Sequence, residues 1–438
     1  MADGDEAVAG PLGVFRQFVS LERDVLVLSL AMFLFSLGFQ MTNRFLADYL
    51  YYLGATGIVV GAFATLGNLI DAVYPYYGGV VSDRVGSRFA LTLFGLVSTV
   101  GFGIWLSAAF APTVALGPVA VEPWTWVFVG LLLAQCWKSF GIGGHYAIVK
   151  QSVAPERLAR GFASTETFRR SAFLLAPLIV AVLVADALIP GFLYVLALAI
   201  AFGVVGTVAQ HRLYETEADS VGSEFRGLEQ VLDDLRSLPD AHRPLLVADS
   251  LVRFANGMVY AFFVLVITEL MAIGLDLELP TVGAIGLSPV AFFGVLSAIE
   301  MLVALLSMAP VARLAERTGL KPVVGLGFFV YAAFPVLFVF APENQLLLVA
   351  LFAFSGLRFA GLPAHKALIV GPAEAGAGGR VTGSYYLVRG LIVIPSGLVG
   401  GVVWDVLSPE LSFSIASAIG LVGVGYFALF GREFEAYR

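Results

Sequence analysis

Twelve apolar stretches, each about twenty residues long and divided by short polar breaks, decide what this chain can fold into. In hydrocarbon every backbone N–H and C=O must be paired within the chain, so a stretch of that length reads as a bilayer-crossing helix. The runs fall near residues 25–47, 57–81, 89–111, 124–148, 162–184 and 190–209, then near 244–268, 288–310, 322–341, 345–368, 381–403 and 410–430. The balance of residues agrees: 59% are hydrophobic and 13% charged, against roughly 45–50% and 25% in a soluble domain. The expected fold class is an all-α membrane protein of twelve transmembrane helices, in two sets of six whose repeat, shown below, makes them pseudo-symmetric six-helix halves.

The longest polar stretch, 210–243, divides two sets of six spans. Leu228, Val231, Leu232 and Leu235 recur there at helical spacing, which predicts an amphipathic helix on the membrane surface. The domain reading is a first bundle over 1–209, a cytoplasmic linker over 210–243 and a second bundle over 244–438. The first residues, MADGDEAVAG, are acidic and lack the basic start and apolar core of a cleaved signal, so no signal peptide is expected. Cys136 is alone and the histidines at 145, 211, 242 and 365 are scattered, so neither a disulfide framework nor a metal site is expected.

Lysine and arginine orient the spans. With Met1 inside, one side's loops carry Arg84, Arg88, Lys150, Arg157, Arg160, Arg212, Arg226, Arg236, Arg243, Arg313, Arg317, Lys321, Lys366 and Arg380. The other side's loops carry none and hold acids such as Glu122, Asp186, Asp276, Glu343 and Glu410. Cations favour the cytoplasmic face, so the expectation is a multi-pass protein of the cell membrane with both termini cytoplasmic. The two sides are called below the cation-bearing and the cation-free end.

The two sets of spans repeat one another. Gly79-Val-Val-Ser-Asp83-Arg84-Val-Gly86-Ser-Arg88 follows the second span. Pro310-Val-Ala-Arg313-Leu-Ala-Glu316-Arg317-Thr-Gly319-Leu-Lys321 follows the eighth. Acid, arginine, glycine and a second cation keep one spacing in both. On the fourth and tenth spans, Gln135, Lys138, Gly141 and His145 stand opposite Ser355, Arg358, Gly361 and His365. Steps of three and four put each set on one helical face.

These paired loops resemble the signature after helices two and eight of the major facilitator superfamily. Pro155-Glu156-Arg157 to Arg160-Gly161 resembles that family's loop between helices four and five. Ser87, where a basic residue is common, and Glu316, in place of aspartate, depart from the pattern. The resemblance implies two bundles around a central cavity lined by helices one, four, seven and ten, with solute crossing by alternating access. It implies that Gly79, Asp83, Arg84, Gly86 and Arg88, with Glu316, Arg317, Gly319 and Lys321, form gating loops on the cytoplasmic side.

Charges inside spans cost about 2.5–3.5 kcal/mol each on insertion scales and so need a reason. Lys138 and Arg358 lie near mid-membrane at repeat-equivalent positions. Facing one another, they call for an anion between them; alternatively each pairs with a fixed acid such as Asp71 or Glu300. Arg44 shares a stripe with Ser36, Gln40, Asn43 and Asp48, and either pairs with Asp48 at i,i+4 or touches solute. Asp249, Arg253, Asn256 and Tyr260 form a similar stripe on the seventh span. The candidate solute-binding set is Lys138, Arg358, Arg44, Gln135, Asn43, Asn256 and Tyr260. Asp71 and Glu300 are candidates for proton coupling, because a buried carboxylate shifts its proton affinity with its surroundings. Glu166 stands behind them, held by Arg169 and Arg170. Arg389 matches Arg169 in the repeat, which suggests a structural role for both, and His145 and His365 read as packing or gate residues.

No Gly-Lys-Ser/Thr phosphate loop appears, so ATP is not the expected driver, and no cofactor is expected. Nothing reads as an enzyme's cluster of nucleophile, base or metal ligands. The expected function is secondary active transport of a small solute, an organic anion, with possible proton coupling; the alternative is a drug efflux transporter. Expected partners are that small-molecule solute and the lipid bilayer, with no nucleic acid, and the chain is expected to act as a monomer.

Overall fold

The computed structural model describes residues 23–116, 119–140, 158–213, 242–279, 283–370 and 378–433. Every expected span contains helix within them. In the first set these are Arg23–Asn43 resuming as Leu46–Tyr52, Gly57–Val85, Ser87–Ala108, Trp124–Gln135, Leu158–Leu183 and Leu188–Leu213. In the second set they are Arg243–Val259, Pro289–Thr318, Leu320–Val339, Gln345–Gly356 resuming as Leu362–Val370, Gly378–Val393 resuming as Ser396–Val406, and Pro409–Phe430. Among the described residues, ten spans are long and apolar enough to cross a bilayer by length and composition alone. The other two are the fourth, whose continuation beyond Phe140 lies outside the described residues, and the fifth, which carries Glu166, Arg169 and Arg170.

The amphipathic helix expected in the linker falls at 214–241, outside the described residues, as do residues 141–157, with His145, and 371–377. The side chains of Asp83, Arg84, Glu166 and Glu316 lie outside them too. Short antiparallel hairpins cover the cation-free end, Val114–Leu116 with Val119–Val121 and Leu275–Leu279 with Gly283–Leu287. Around the outside, Val182, Leu346 and Leu429 are 76–80% exposed. Such a girdle of bare aliphatic side chains is stable against lipid tails rather than water.

The spans expected to line the cavity are broken at mid-depth. The first leaves helix between Asn43 and Leu46. The fourth passes into a π-helical turn at Cys136–Phe140, the seventh into a 3-10 turn at Tyr260–Phe262, and the tenth into one at Leu357–Phe359. The eleventh also breaks, at Pro395. Irregular backbone at membrane depth is tolerated only where protein or a cavity, not lipid, surrounds it. Lys138 and Arg358 each sit inside one of these turns, so the repeat extends to backbone geometry.

The signature loops repeat in structure as well. Gly86 and Gly319 both take φ near +90°, at 84° and 92°, a conformation that glycine adopts without strain. The last cation of each loop then reaches the final span of its own half. Arg88 Nε donates to the His211 carbonyl at 2.8 Å, and Lys321 Nζ donates to the Ala428 carbonyl at 3.0 Å. Both carbonyls lie at helix C-termini, where unpaired C=O groups and the macrodipole favour a cation. The second half adds Glu433, whose carboxylate accepts from the Leu320 and Lys321 amides at 3.0 and 2.8 Å and so caps the ninth span.

The two halves meet at the cation-free end. Gly57 and Gly61 of the second span face Gly397 and Gly401 of the eleventh so closely that a methyl on Gly61, Gly397 or Gly401 would strike the opposing backbone, and one on Gly57 the side chains of Trp404 and Asp405. Asp405 reaches across and caps the second span, accepting from the Gly57 and Ile58 amides at 2.9 and 2.6 Å. Thr65 Oγ1 accepts from the Leu398 amide at 2.8 Å. On the pseudo-symmetric side, Ser288 at the head of the eighth span donates to the Val184 and Ala185 carbonyls at the foot of the fifth, at 2.7 and 2.8 Å.

Candidate functional site

A cavity of about 230 Å³ lies between the halves at the depth of the broken turns. Spans one, two and four supply Asn43, Arg44, Asn68, Asp71, Gln135 and Lys138; spans seven, eight and ten supply Tyr260, Phe263, Phe293 and Phe352. The second and eighth spans thus line it together with the four that were expected. Phe45 and Phe293 close it toward the cation-free end, meeting edge to face at 5.6 Å. Lys138 and Asp71 are each 46% exposed, so the cavity is reached from the cation-bearing end.

Of the two readings open for Lys138 and Arg358, the geometry follows the second, in which each holds a fixed acid. Lys138 Nζ donates to both Asp71 oxygens at 3.0 and 2.9 Å, and Ser139 donates to the same carboxylate at 2.7 Å. Arg358 donates to Glu300 at 2.6 Å and to Asn256 at 3.4 Å, and only 1% of its side chain is exposed. The two cations therefore do not face one another: Lys138 stands on the cavity wall, and Arg358 lies behind it.

Arg44 departs from its local expectation. It donates to Glu300 of the eighth span at 2.9 Å rather than to Asp48. The chain leaves helix between Asn43 and Leu46, so the i,i+4 register that would join Arg44 to Asp48 does not exist. Asp48 instead accepts from Thr268 Oγ1 of the other half at 3.0 Å. Glu300 consequently serves two guanidiniums, with Ser355 donating to it at 2.6 Å. The Tyr260 ring lies 5.9 Å from the Arg44 guanidinium and 5.7 Å from that of Arg358, its face available to both. Three cations and two acids thus stand at or just behind the wall, leaving one positive charge in excess.

A second ionic cluster lies deeper in the second half. Asp249, fully buried, meets Arg253 at 3.2 Å, Arg389 at 3.1 Å, the Tyr385 hydroxyl at 3.1 Å and His365 Nε2 at 3.2 Å. The His365 contact is a matter of distance only, since its Nε2 is not aligned for a hydrogen bond. Tyr331 joins the clusters: its hydroxyl accepts from Arg253 at 2.9 Å, and its ring lies 5.1 Å from the Arg358 guanidinium. Arg389, read from the repeat as structural, is a partner of Asp249. Sequence reasoning placed Asp249 on a stripe with Arg253 and missed it as a hub, because its other partners, His365, Tyr385 and Arg389, come from the tenth and eleventh spans. It also missed Asp405, Tyr331 and Glu433, which make their bonds far along the chain and carry no local pattern.

Among the gating residues, Gly86, Gly319, Arg88 and Lys321 make the loop contacts described above, and Arg317 is exposed. Gly79 lies within the second-span helix.

No protein-family model matches the chain. An uncharacterized MFS-type transporter of Methanocaldococcus jannaschii is 21% identical over 411 residues, spanning 92% of this chain and 93% of that protein. An uncharacterized MFS-type transporter of Mycobacterium tuberculosis is 31% identical over 202 residues, 46% of this chain and 43% of that protein. Among solved structures, the nucleoside transporter NupG superposes with a TM-score of 0.71 at 14% identity, over 93% of this chain and 99% of that one. A peptide transporter POT in complex with sulfate gives 0.69 at 14% identity, over 95% and 96%. A relative matched along nearly its whole length, the shared architecture and the duplicated loops agree on one role: the chain is a membrane transporter, similar to those of the major facilitator superfamily type.

Proposed function

We propose that the chain is a secondary transporter that carries a small organic anion through this cavity by alternating access, with protons moving on carboxylates of the second and eighth spans. The observation that carries the reading is the Arg44–Glu300–Arg358 cluster, whose one surplus positive charge lies at the cavity wall. A buried charge without a full counter-charge is costly, and an anion entering beside Arg44 would supply the missing one. The same geometry links binding to movement. Arg44 belongs to the first half and Glu300 to the second, so an anion that draws Arg44 away weakens an ionic tie between the halves.

Asp71 and Glu300 are the proposed proton carriers, with Glu166 behind them. Asp71 and Glu300 are each held by a cation in this state, and a carboxylate that loses its cation to an incoming anion is freer to take up a proton. Two six-helix bundles joined by the 210–243 linker rock about the cavity, and the Asp83 and Glu316 loops latch the cation-bearing end when the other opens. The cation pattern supports cytoplasmic termini in the cell membrane, and the enclosed single-chain cavity supports a working monomer. A peptide transporter of the same fold has been captured with sulfate, which is compatible with an anion in such a cavity.

The test is a thermal-shift series on the purified protein, followed by uptake into proteoliposomes. A ligand bound only by the folded state raises the melting temperature by mass action. Carboxylates or phosphates should stabilise the wild type and not Arg44→Gln or Lys138→Gln. Stabilisation by lipophilic cations alone, unchanged in both variants, would overturn the reading in favour of drug efflux.

A further inference from the structure

We infer that the transported solute is two-faced, an anionic head on a flat aromatic or apolar body, seated with its head on the first half and its body against the second. The inference rests on the anionic reading above and narrows it. The two walls of the cavity differ in kind. Every charged or amide side chain of the lining, Asn43, Arg44, Asn68, Asp71, Gln135 and Lys138, comes from the first half, set among apolar residues such as Leu50, Val60 and Phe63, whereas the second half offers the rings of Tyr260, Phe263, Phe293 and Phe352 with Ala261.

The aromatic wall is built rather than incidental. Phe293 and Phe352 meet edge to face at 6.0 Å. Phe352 is backed by Phe334 at 5.5 Å and Phe338 at 5.3 Å, and Phe263 packs on the same two rings at 5.3 and 5.8 Å. Rings locked in this way cannot turn aside to admit water, so the wall is a fixed apolar surface suited to edge or face contact with another ring. A compact hydrophilic anion, such as phosphate or acetate, would satisfy the first wall and leave its remaining polar atoms against phenylalanine. Unmet hydrogen bonds of that kind are what sites reject most strongly. A ring on the far side of the head removes the conflict and fills the space.

The polar wall adds a further preference. Gln135 is buried to 6% exposure with its side-chain oxygen lacking a hydrogen-bond partner, and it lines the cavity beside Lys138. A carboxamide left so can turn its oxygen toward a donor on the solute. A hydroxyl or amine close to the anionic head would supply one.

The test compares benzoate, phenylacetate and phenyl phosphate with acetate and inorganic phosphate, and with benzyl alcohol and benzylamine, by thermal shift and by displacement of a labelled aromatic acid. The aromatic anions should bind at least tenfold more tightly than acetate or phosphate. Phe352→Ala should reduce that advantage about tenfold while acetate binding stays level, and Phe293→Leu, which keeps an apolar wall of similar bulk, should reduce it less. Equal affinity for benzoate and acetate would overturn this inference and leave the anionic reading standing. Binding of benzylamine or benzyl alcohol without any anion would overturn both. If Phe352→Ala does not fold, Phe293→Leu with the wild-type series still decides, because a ring preference insensitive to Phe293 also counts against the aromatic wall.

Discussion

Replacing Gly397 by alanine should shift the transporter away from the state in which its cation-free end is shut. A methyl group there would stand 2.8 Å from the Ala64 Cβ, 2.8 Å from the Gly61 carbonyl oxygen and 3.1 Å from the Thr65 amide nitrogen. Carbon atoms in contact prefer about 3.5–4.0 Å, so the eleventh span must withdraw by somewhat less than an ångström. Two of the three obstacles are backbone and the third is a Cβ, and none can swing aside. Withdrawal would also stretch the Leu398–Thr65 bond, now 2.8 Å. Overpacking of this sort costs about 1–3 kcal/mol, a change of roughly 5- to 150-fold in the balance between closed and open states. The assay is labelling by a membrane-impermeant maleimide at Val290→Cys in a Cys136→Ser background. Val290 is 4% exposed at the lip of the closed end. Labelling should accelerate by that factor in the Gly397→Ala protein. An unchanged rate would mean that the second and eleventh spans stay in contact through the whole cycle, so that both states carry the strain equally and the reasoning fails.

Other consequences are open to measurement. Asp405→Ala removes a cap that crosses between halves; helix caps are worth about 0.5–2 kcal/mol, so labelling of the same reporter should rise several-fold, and Asp405→Asn should restore most of the closure. Glu300→Gln leaves Arg44 and Arg358 without their shared acid, which should cost about 3–5 kcal/mol of stability. The double variant with Arg44→Gln should lose less than the two single losses added together, read by denaturation in detergent, and simple additivity would dissolve the triad.

How much of this was legible in the sequence depends on how far apart the interacting groups lie. The spans were, because one apolar run fixes one helix with no help from elsewhere. The equivalence of Lys138 and Arg358 was, because duplication writes it twice. Their partners were nameable but not choosable: Asp71 lies 67 residues from Lys138 and Glu300 lies 58 from Arg358, and nothing local favours an acid over a solute. Arg44 shows the opposite failure. Its neighbour Asp48 sits at the spacing that a continuous helix would pair, yet a break that the apolar pattern does not reveal sends Arg44 to a residue 256 positions away. Asp405 was invisible for the same reason at greater range, since the amides it caps are 347 and 348 positions off.

The contacts of Arg88 with His211 and of His242 with Ile369 bear on how far the halves can travel. The first fixes the point where the chain departs the first half, and the second, at 2.7 Å from His242 Nε2 to the Ile369 carbonyl, fixes the point where it enters the other. Both ends of the linker are thus moored on helical backbone, so each half carries its own attachment point through the stroke, and collision at the glycine seam, not release of either mooring, sets where the closing motion stops.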